Sequence, residues 1–204
     1  EAIDYLFNQA VAKAEREGGA AKDRKAYILI GLGGAGKSTL ANPLGSQRQA
    51  IHASADDAKL IIPEYDGGRN SSGVHEESSH LGKRVLARLT AEGYNIVLEK
   101  LGSSPGSIEA PIQMFEKLGY ATTLVYVDVP KAVAMERAIT RFEKTGRAID
   151  ISTYDLNIDE TYTTLKTKEG IENATFRWNE PQGWEWGEVC LLYTSPSPRD
   201  RQKS

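Results

Sequence analysis

Apolar positions along the chain follow two different periods. Near the N-terminus they recur at helical spacing, as at Ile3, Phe7, Val11 and Ala14, and glycines at 18–19 end the pattern. Elsewhere they form short unbroken runs, which are too short for helices and indicate buried strands. Strands are predicted at 26–30, 50–54, 95–98, 121–127 and 175–178, and further helices at 37–45, 76–92, 111–117 and 130–144.

Strands therefore alternate with helices, with flexible loops at 66–73 and 102–107. Several strands are apolar on consecutive positions, as expected when helices cover both faces of a sheet. The pattern predicts a three-layer α/β fold with a mainly parallel sheet flanked by helices. Pro43 is expected to bend or end the helix that starts at residue 37.

Composition narrows the class of protein. The 204 residues are expected to form one domain over 1–190, and the formal net charge of −3 argues against long nucleic acids or anionic membranes as partners. A lone cysteine, Cys190, permits no internal disulfide, and no apolar run approaches a membrane span, so a cytoplasmic location is expected. The Ser/Pro-rich tail at 191–204 is expected to be disordered or an artefact of sequence assembly.

The clearest chemical signal is a phosphate-binding loop. Residues 31–38, GLGGAGKS, match G-x-x-x-x-G-K-[ST], and the match follows a predicted strand and opens a predicted helix. A chance glycine turn is the alternative, but that context favours a P-loop NTPase fold that binds ATP or GTP. Lys37 is expected to reach the β- and γ-phosphates, and the Ser38 hydroxyl to ligate Mg²⁺. The predicted nucleotide-binding residues are Gly31, Gly33, Gly34, Ala35, Gly36, Lys37, Ser38 and Thr39.

Carboxylates follow two of the predicted strands. Asp56 and Asp57 come just after the second strand, and Glu99 ends the third. Ligands of such sheets bind at the carboxyl ends of the strands, where a carboxylate can accept a proton from an attacking hydroxyl. Asp56 is the preferred general base, although an aspartate there also suits a helix N-cap. Glu99 is expected to hold Mg²⁺ through water or a substrate hydroxyl, the alternative being a solvated charge at a strand end.

Basic side chains gather on or just after the helix at 130–144. Arg137 and Arg141 share one face, and Arg147 follows the helix. Arginine forks suit a transferring phosphoryl group, while a solvated basic face is the alternative. The three histidines, at 52, 75 and 80, have no metal-binding spacing, so no metal beyond Mg²⁺ is expected.

The order of these features resembles the zeta toxin family of P-loop kinases over residues 24–150. Of these motifs, only the phosphate loop is distinctive by itself. The resemblance therefore rests on the order in which the motifs follow one another along the chain. After that loop the series runs through Asp56-Asp57-Ala58-Lys59, Pro63-Glu64-Tyr65, His75, Gly93-Tyr94-Asn95-Ile96-Val97-Leu98-Glu99, Pro111-Ile112-Gln113, Gly119-Tyr120, Val129-Pro130, Arg137, Arg141 and Gly146-Arg147.

The resemblance implies phosphorylation of a sugar hydroxyl of a uridine diphosphate–N-acetylamino sugar, and often a small helical antitoxin as partner. It implies that Asp56 is the catalytic aspartate and that Lys37, Arg141 and Arg147 neutralise phosphate charge. Asp56, Lys59 and Glu99 would contact the substrate, as the resemblance implies.

The sequence departs from the family in two side chains and in two segment lengths, a longer loop from Glu99 to Pro111 and a shorter stretch from Arg141 to Arg147. Lys83 stands where the family has a second glutamate, and Lys100-Leu101-Gly102-Ser103 replaces a segment that carries an arginine. Other functions therefore stay open: a nucleoside, antibiotic or polynucleotide kinase, a regulatory NTPase switch, or an inactive fragment.

Overall fold

A β-sheet flanked by α-helices forms the centre of the computed structural model, which describes residues 1–68, 73–147, 149–179 and 183–187. The strand order is β2-β3-β1-β4-β5-β6. Strands β1 to β5 pair in parallel, and β6 is an antiparallel edge strand beside β5. The strands are β1 (Lys25–Ile30), β2 (Ile51–Ala53), β3 (Ile96–Lys100), β4 (Ala121–Asp128), β5 (Ile171–Asn179) and β6 (Gly183–Gly187).

The helices mostly connect successive parallel strands. Short 3-10 helices lie at Pro63–Gly68 and Ile151–Asp155. No helix in the described ranges is both long and apolar enough to cross a bilayer. The α-helices are α1 (Ala2–Glu17), α2 (Lys37–Arg48), α3 (Ala55–Lys59), α4 (His75–Ala91), α5 (Pro105–Lys117), α6 (Lys131–Thr145) and α7 (Ile158–Leu165).

The central strand β1 is buried on both faces, which explains its unbroken apolar sequence. Ala26, Ile28 and Ile30 face a core that includes residues of α1, α4, α5 and α7. Tyr27 and Leu29 face a second core that includes residues of α2 and α6. Two helical layers thus enclose the sheet, and the predicted three-layer α/β fold with a mainly parallel sheet is confirmed.

Most of the predicted strands and helices are confirmed, but the predicted loop at 102–107 is partly wrong. Helix α5 starts at Pro105, because Ser104 and Ser107 form a reciprocal capping box. Pro105 lies in the first turn of this helix, where its missing N–H costs nothing. Of the predicted loop at 66–73, residues 69–72 lie outside the described residues, as does the whole predicted tail at 191–204.

Pro43 does not end α2, which continues to Arg48. A proline in a helix interior removes one backbone hydrogen bond. Here the flanking residues Leu40, Ala41 and Leu44 are almost fully buried against the sheet, so tertiary packing maintains the helix.

Asn95 joins the start of β1 to the start of β3. Its side-chain oxygen accepts hydrogen bonds from the backbone N–H groups of Asp23 and Lys25, at 3.1 Å each. Its amide nitrogen donates to an Asp23 carboxylate oxygen at 3.2 Å. The Asn95 side chain is 1% exposed, and its bonds to the backbone are partly buried, so water replaces them poorly. Asn95 therefore supports the register that aligns the two strands.

We expect Asn95→Ala to lower the free energy of unfolding by about 1–3 kcal/mol, because two partly buried backbone donors lose their acceptor. Urea denaturation of this variant beside Gln113→Ala, a change on an exposed helical position, measures the effect. Equal stability of the two variants would contradict this role for Asn95.

Candidate active site

The phosphate loop runs from the end of β1 to the start of α2, and close backbone packing determines its shape. Gly34 has a φ of +82°, and a Cβ on it would lie 2.2 Å from the Ala134 carbonyl oxygen. A Cβ on Gly31 would lie 2.7 Å from the Val127 carbonyl oxygen. Only glycine fits at these two positions, so the loop is pressed against β4 and α6.

Lys37 begins α2, and its side chain turns back under the loop. Its Nζ donates to the carbonyl oxygens of Gly31 at 2.6 Å and Leu32 at 2.9 Å. Burial lowers its pKa to about 8, and the positive charges of Arg141 and Arg147 act in the same direction, against the carboxylate of Glu99. A positive charge on Lys37 therefore costs free energy at this position unless an anion binds beside it.

Ser38, Glu99 and His52 form a hydrogen-bonded chain at the end of the sheet. The Ser38 hydroxyl donates to the Glu99 carboxylate at 3.0 Å, and Nε2 of His52 lies 2.6 Å from the other carboxylate oxygen. Burial would raise the pKa of Glu99, but the hydrogen bond and charge of His52, the Ser38 hydroxyl and the charge of Lys37 hold it below its usual range. Glu99 is thus an ionised acceptor directly beside the first turn of α2.

Asp56 lies in the first turn of α3, which Ser54 caps. Its two carboxylate oxygens face different cations, Lys59 Nζ at 3.0 Å and Arg147 Nη2 at 3.0 Å. Burial alone would raise the pKa of Asp56, but the charges and hydrogen bonds of Arg147 and Lys59 lower it. The carboxylate is half-exposed, so a solute can still reach it.

Arg141 carries an unusual buried donor. Its Nε is buried and has no hydrogen-bond partner among the described residues. Burial lowers the pKa of this guanidinium, and the nearby charge of Arg147 lowers it further. A buried N–H without a protein acceptor suits an anionic oxygen brought by a ligand.

The structure gathers most of the residues that the sequence singled out. Lys37, Glu99, Arg141 and Arg147 are close enough to influence one another electrostatically, and Asp56 bonds to Arg147. Ala35 is fully buried inside the loop, while Ser38 and Thr39 lie exposed in the first turn of α2. Lys59 is almost fully buried and forms an ion pair with Asp56. Its predicted contact with a substrate stays a prediction, as do the other predicted site roles.

Sequence reasoning missed two residues of this site. The sequence presents His52 only as a possible metal ligand, although its place near the carboxyl end of a predicted strand is compatible with a contact to Glu99. The Tyr154 hydroxyl donates to the Gly33 carbonyl oxygen at 2.7 Å and so ties the Ile151–Asp155 segment to the phosphate loop. Tyr154 lies in a stretch without helical or strand periodicity, and no sequence signal pointed to it.

The residues present fit a nucleoside triphosphate with Mg²⁺. The glycine-lined loop, the Lys37 ammonium and the unpartnered Arg141 Nε are donors suited to phosphate oxygens. In the described ranges no group of three or more His, Cys, Asp or Glu side chains could hold a metal alone. Mg²⁺ commonly takes one or two protein oxygens and completes its shell with phosphates and water, and Ser38 and Glu99 offer such oxygens.

Known proteins resemble this chain over most of its length. The family model described as Zeta toxin matches residues 9–175. Toxin zeta of Enterococcus hirae is 26% identical over 163 residues, which cover 70% of this chain and 55% of that protein. The chain thus spans about half the length of this relative.

Two solved structures share the fold. A structure of the PezAT chromosomal toxin–antitoxin system of Streptococcus pneumoniae superimposes with a TM-score of 0.71 at 14% identity, covering 98% of this chain and 91% of that chain. The AvrRxo1-ORF1–AvrRxo1-ORF2 structure with ATP gives a TM-score of 0.66 at 18% identity, covering 92% and 64%. At these identities the likeness shows the fold alone.

The depressed pKa of Lys37 predicts a specific dependence of stability on pH. Its pKa is about 8 in the folded chain against a reference value of 10.5, so between these values the unfolded chain binds more protons. Raising the pH from about 7.5 to about 9.5 should therefore increase the free energy of unfolding of the parent by about 1–2 kcal/mol relative to Lys37→Met.

Urea denaturation of both proteins at the two pH values measures this difference. Lys117→Met, a change at an exposed lysine at the end of α5, serves as the matched control and should follow the parent. A Lys37→Met curve parallel to that of the parent would show that burial does not depress the pKa of Lys37.

Proposed function

The chain belongs to the zeta toxin family, and from this premise we propose that it transfers the terminal phosphoryl group of ATP or GTP to a hydroxyl of a small acceptor. The observation that carries the proposal is the convergence of one lysine, two arginines and two carboxylates beside the phosphate loop. Phosphoryl transfer depends mainly on positioning and charge stabilisation, which this cluster is built to supply.

The nucleotide is proposed to bind with its phosphates along the loop of residues 31–39. Loop N–H groups and Lys37 would hold the β- and γ-phosphates, and Arg141 would direct its unpartnered Nε to a phosphate oxygen. ATP is the preferred candidate, because a protein of the same fold has been solved with ATP. Arg147, already beside Asp56, would stabilise charge on the group in transfer.

Asp56 is proposed to orient the acceptor hydroxyl and accept its proton. The cations at Lys59 and Arg147 keep the carboxylate ionised at neutral pH, so it enters the reaction as an acceptor. They also fix both of its oxygens in place, which favours a single geometry for the hydroxyl.

Ser38 and Glu99 are proposed to bind Mg²⁺, and His52 is proposed to position Glu99. Mg²⁺, when bound, would neutralise phosphate charge as transfer proceeds. His52 keeps the Glu99 carboxylate in line with the Ser38 hydroxyl by the 2.6 Å contact.

The proposed acceptor to test first is a uridine diphosphate–N-acetylamino sugar, as the family resemblance implies. An antitoxin is a proposed partner, because one structure of the same fold is named as part of a toxin–antitoxin system.

We expect a phosphate-sized mass gain on a uridine diphosphate–N-acetylamino sugar when it is incubated with the protein and Mg·ATP. Mass spectrometry of a panel of sugar nucleotides and free sugars measures it, with Lys37→Met as the inactive control. A mass gain on another acceptor alone would support the kinase activity but contradict the sugar nucleotide as its acceptor. Steady ATP hydrolysis with no phosphorylated acceptor would instead favour an NTPase switch.

We expect Asp56→Asn to lower kcat by roughly 10²–10⁴-fold while Mg·ATP affinity changes only a few-fold, since the variant loses the proton acceptor but keeps the loop. Steady-state kinetics and calorimetric binding of Mg·ATP separate the two quantities. Asp155→Asn, at an exposed position that pairs with Lys131, is the matched control. A kcat within a few-fold of the parent would remove Asp56 as the base.

A further inference from the structure

A cavity of about 330 Å³ lies beside the candidate active site, between α1, α3, α4 and the carboxyl ends of β2 and β3. Leu6 of α1, Leu86 and Leu89 of α4 and Leu98 of β3 provide an apolar wall. Its volume is at the lower end of the roughly 300–1,000 Å³ that is typical of small-molecule sites. The cavity therefore suits a compact solute with an apolar portion.

One end of this cavity lies at residues of the candidate active site. Glu99 and His52 belong to its lining, and Glu99 bonds to the Ser38 hydroxyl of the phosphate loop at 3.0 Å. Asp57 of α3 also lines it, next in the chain to Asp56. A molecule in the cavity would thus lie against the carboxylate that connects to the nucleotide site.

Lysine side chains from two elements meet at this cavity. Lys83 of α4 and Lys100 at the end of β3 both line it, and both are exposed. Neither has an ion-pair partner among the described residues, whereas Lys59 and Arg147 nearby are paired with Asp56.

The other charged groups of the lining leave the cavity cationic. Lys13 and Arg16 of α1 add two more positive charges. Asp57 and Glu99 are the carboxylates, and Glu99 is already bonded to Ser38 and His52. The lining therefore carries four cationic side chains against two carboxylates, in a chain whose formal net charge is −3.

The two central lysines repel each other. Both ammonium groups belong to the lining of the same cavity, so two like charges share one space. Like charges held together without a counter-ion cost free energy in the unliganded protein, and such costs are typical of functional sites. An anion between them would remove the repulsion.

We propose that this cavity is the acceptor pocket and that Lys83 and Lys100 select an acceptor bearing a carboxylate or phosphate group. The inference rests on the proposed phosphotransferase function. The acceptor's anionic group lies at the lysine pair and its apolar part along the leucine wall. Its reacting hydroxyl points out of the end lined by Asp57, towards the proposed base Asp56 and the phosphate loop.

Calorimetric binding of matched compounds tests the pocket in the presence of excess Mg·AMP-PNP, a non-hydrolysable ATP analogue. Glucose 6-phosphate and gluconate are each compared with glucose, and UDP-N-acetylglucosamine is compared with N-acetylglucosamine. At least one charged compound should bind roughly tenfold or more tightly than its neutral counterpart, as expected for charge-assisted hydrogen bonds. The first two pairs distinguish phosphate from carboxylate.

The variants Lys83→Met and Lys100→Met should reduce this preference to within about threefold, while Lys117→Met, on the exposed end of α5, should keep it. Without ligand, the Lys83→Met protein should melt no lower than the parent, because a repulsion has been removed; a lower melting temperature would indicate a structural role instead. No preference for any charged compound, or a preference unchanged in both variants, would contradict the proposal that the cavity is an anion-selective acceptor pocket.

Transfer from ATP to the same compounds separates this inference from the proposed function. A lysine-dependent preference in binding, without any phosphorylated product, would support the anion pocket and count against the kinase. Phosphorylation of neutral acceptors at rates unaffected by either lysine variant would support the kinase activity but contradict the proposed anion-selective pocket.

Discussion

Parallel pairing of β1 with β3 places the phosphate loop and the carboxylate of Glu99 at the same end of the sheet. Leu29 lies beside Glu99, so the strand that leads into the phosphate loop and the strand that carries the carboxylate end together. Strand β2 pairs with β3 in the same sense and delivers the chain to α3 and Asp56 at that end. A slip of one residue in β3 would turn Glu99 towards the opposite face. Asn95, at the opposite end of β3, supports this alignment.

The charges gathered at that end of the sheet are costly for the unliganded protein. Lys37 is buried under its own loop, and Arg141 and Arg147 act on it with like charge. Arg141 also keeps a buried donor without a protein acceptor. The apolar cores on both sides of the sheet maintain the fold in spite of these costs. An electrostatic environment set by folding needs little rearrangement when a negatively charged group enters it.

Sequence periodicity predicted the five parallel strands and most helices, because burial on both sheet faces or on one helix face determines those patterns. The phosphate loop was visible because glycine, lysine and serine must occur at fixed spacing. The start of α5 was missed because it depends on a local capping box of two serines, in a stretch whose composition suggests a loop. The contact of Tyr154 with Gly33 spans 121 positions, and that of His52 with Glu99 spans 47, so neither could be predicted without the fold. Lys83 of α4 and Lys100 of β3 line one cavity, and this arrangement likewise depends on the fold.

The bond between Tyr154 and Gly33 has a consequence for the entropy of ligand binding. Glycine-rich backbone has more conformational freedom than other backbone, and ordering it on binding normally weakens affinity. Here the side chain of Tyr154, 121 positions further along the chain, restrains the middle of the loop before any ligand arrives. Part of that ordering is therefore completed during folding, and the loop meets its ligand preorganised.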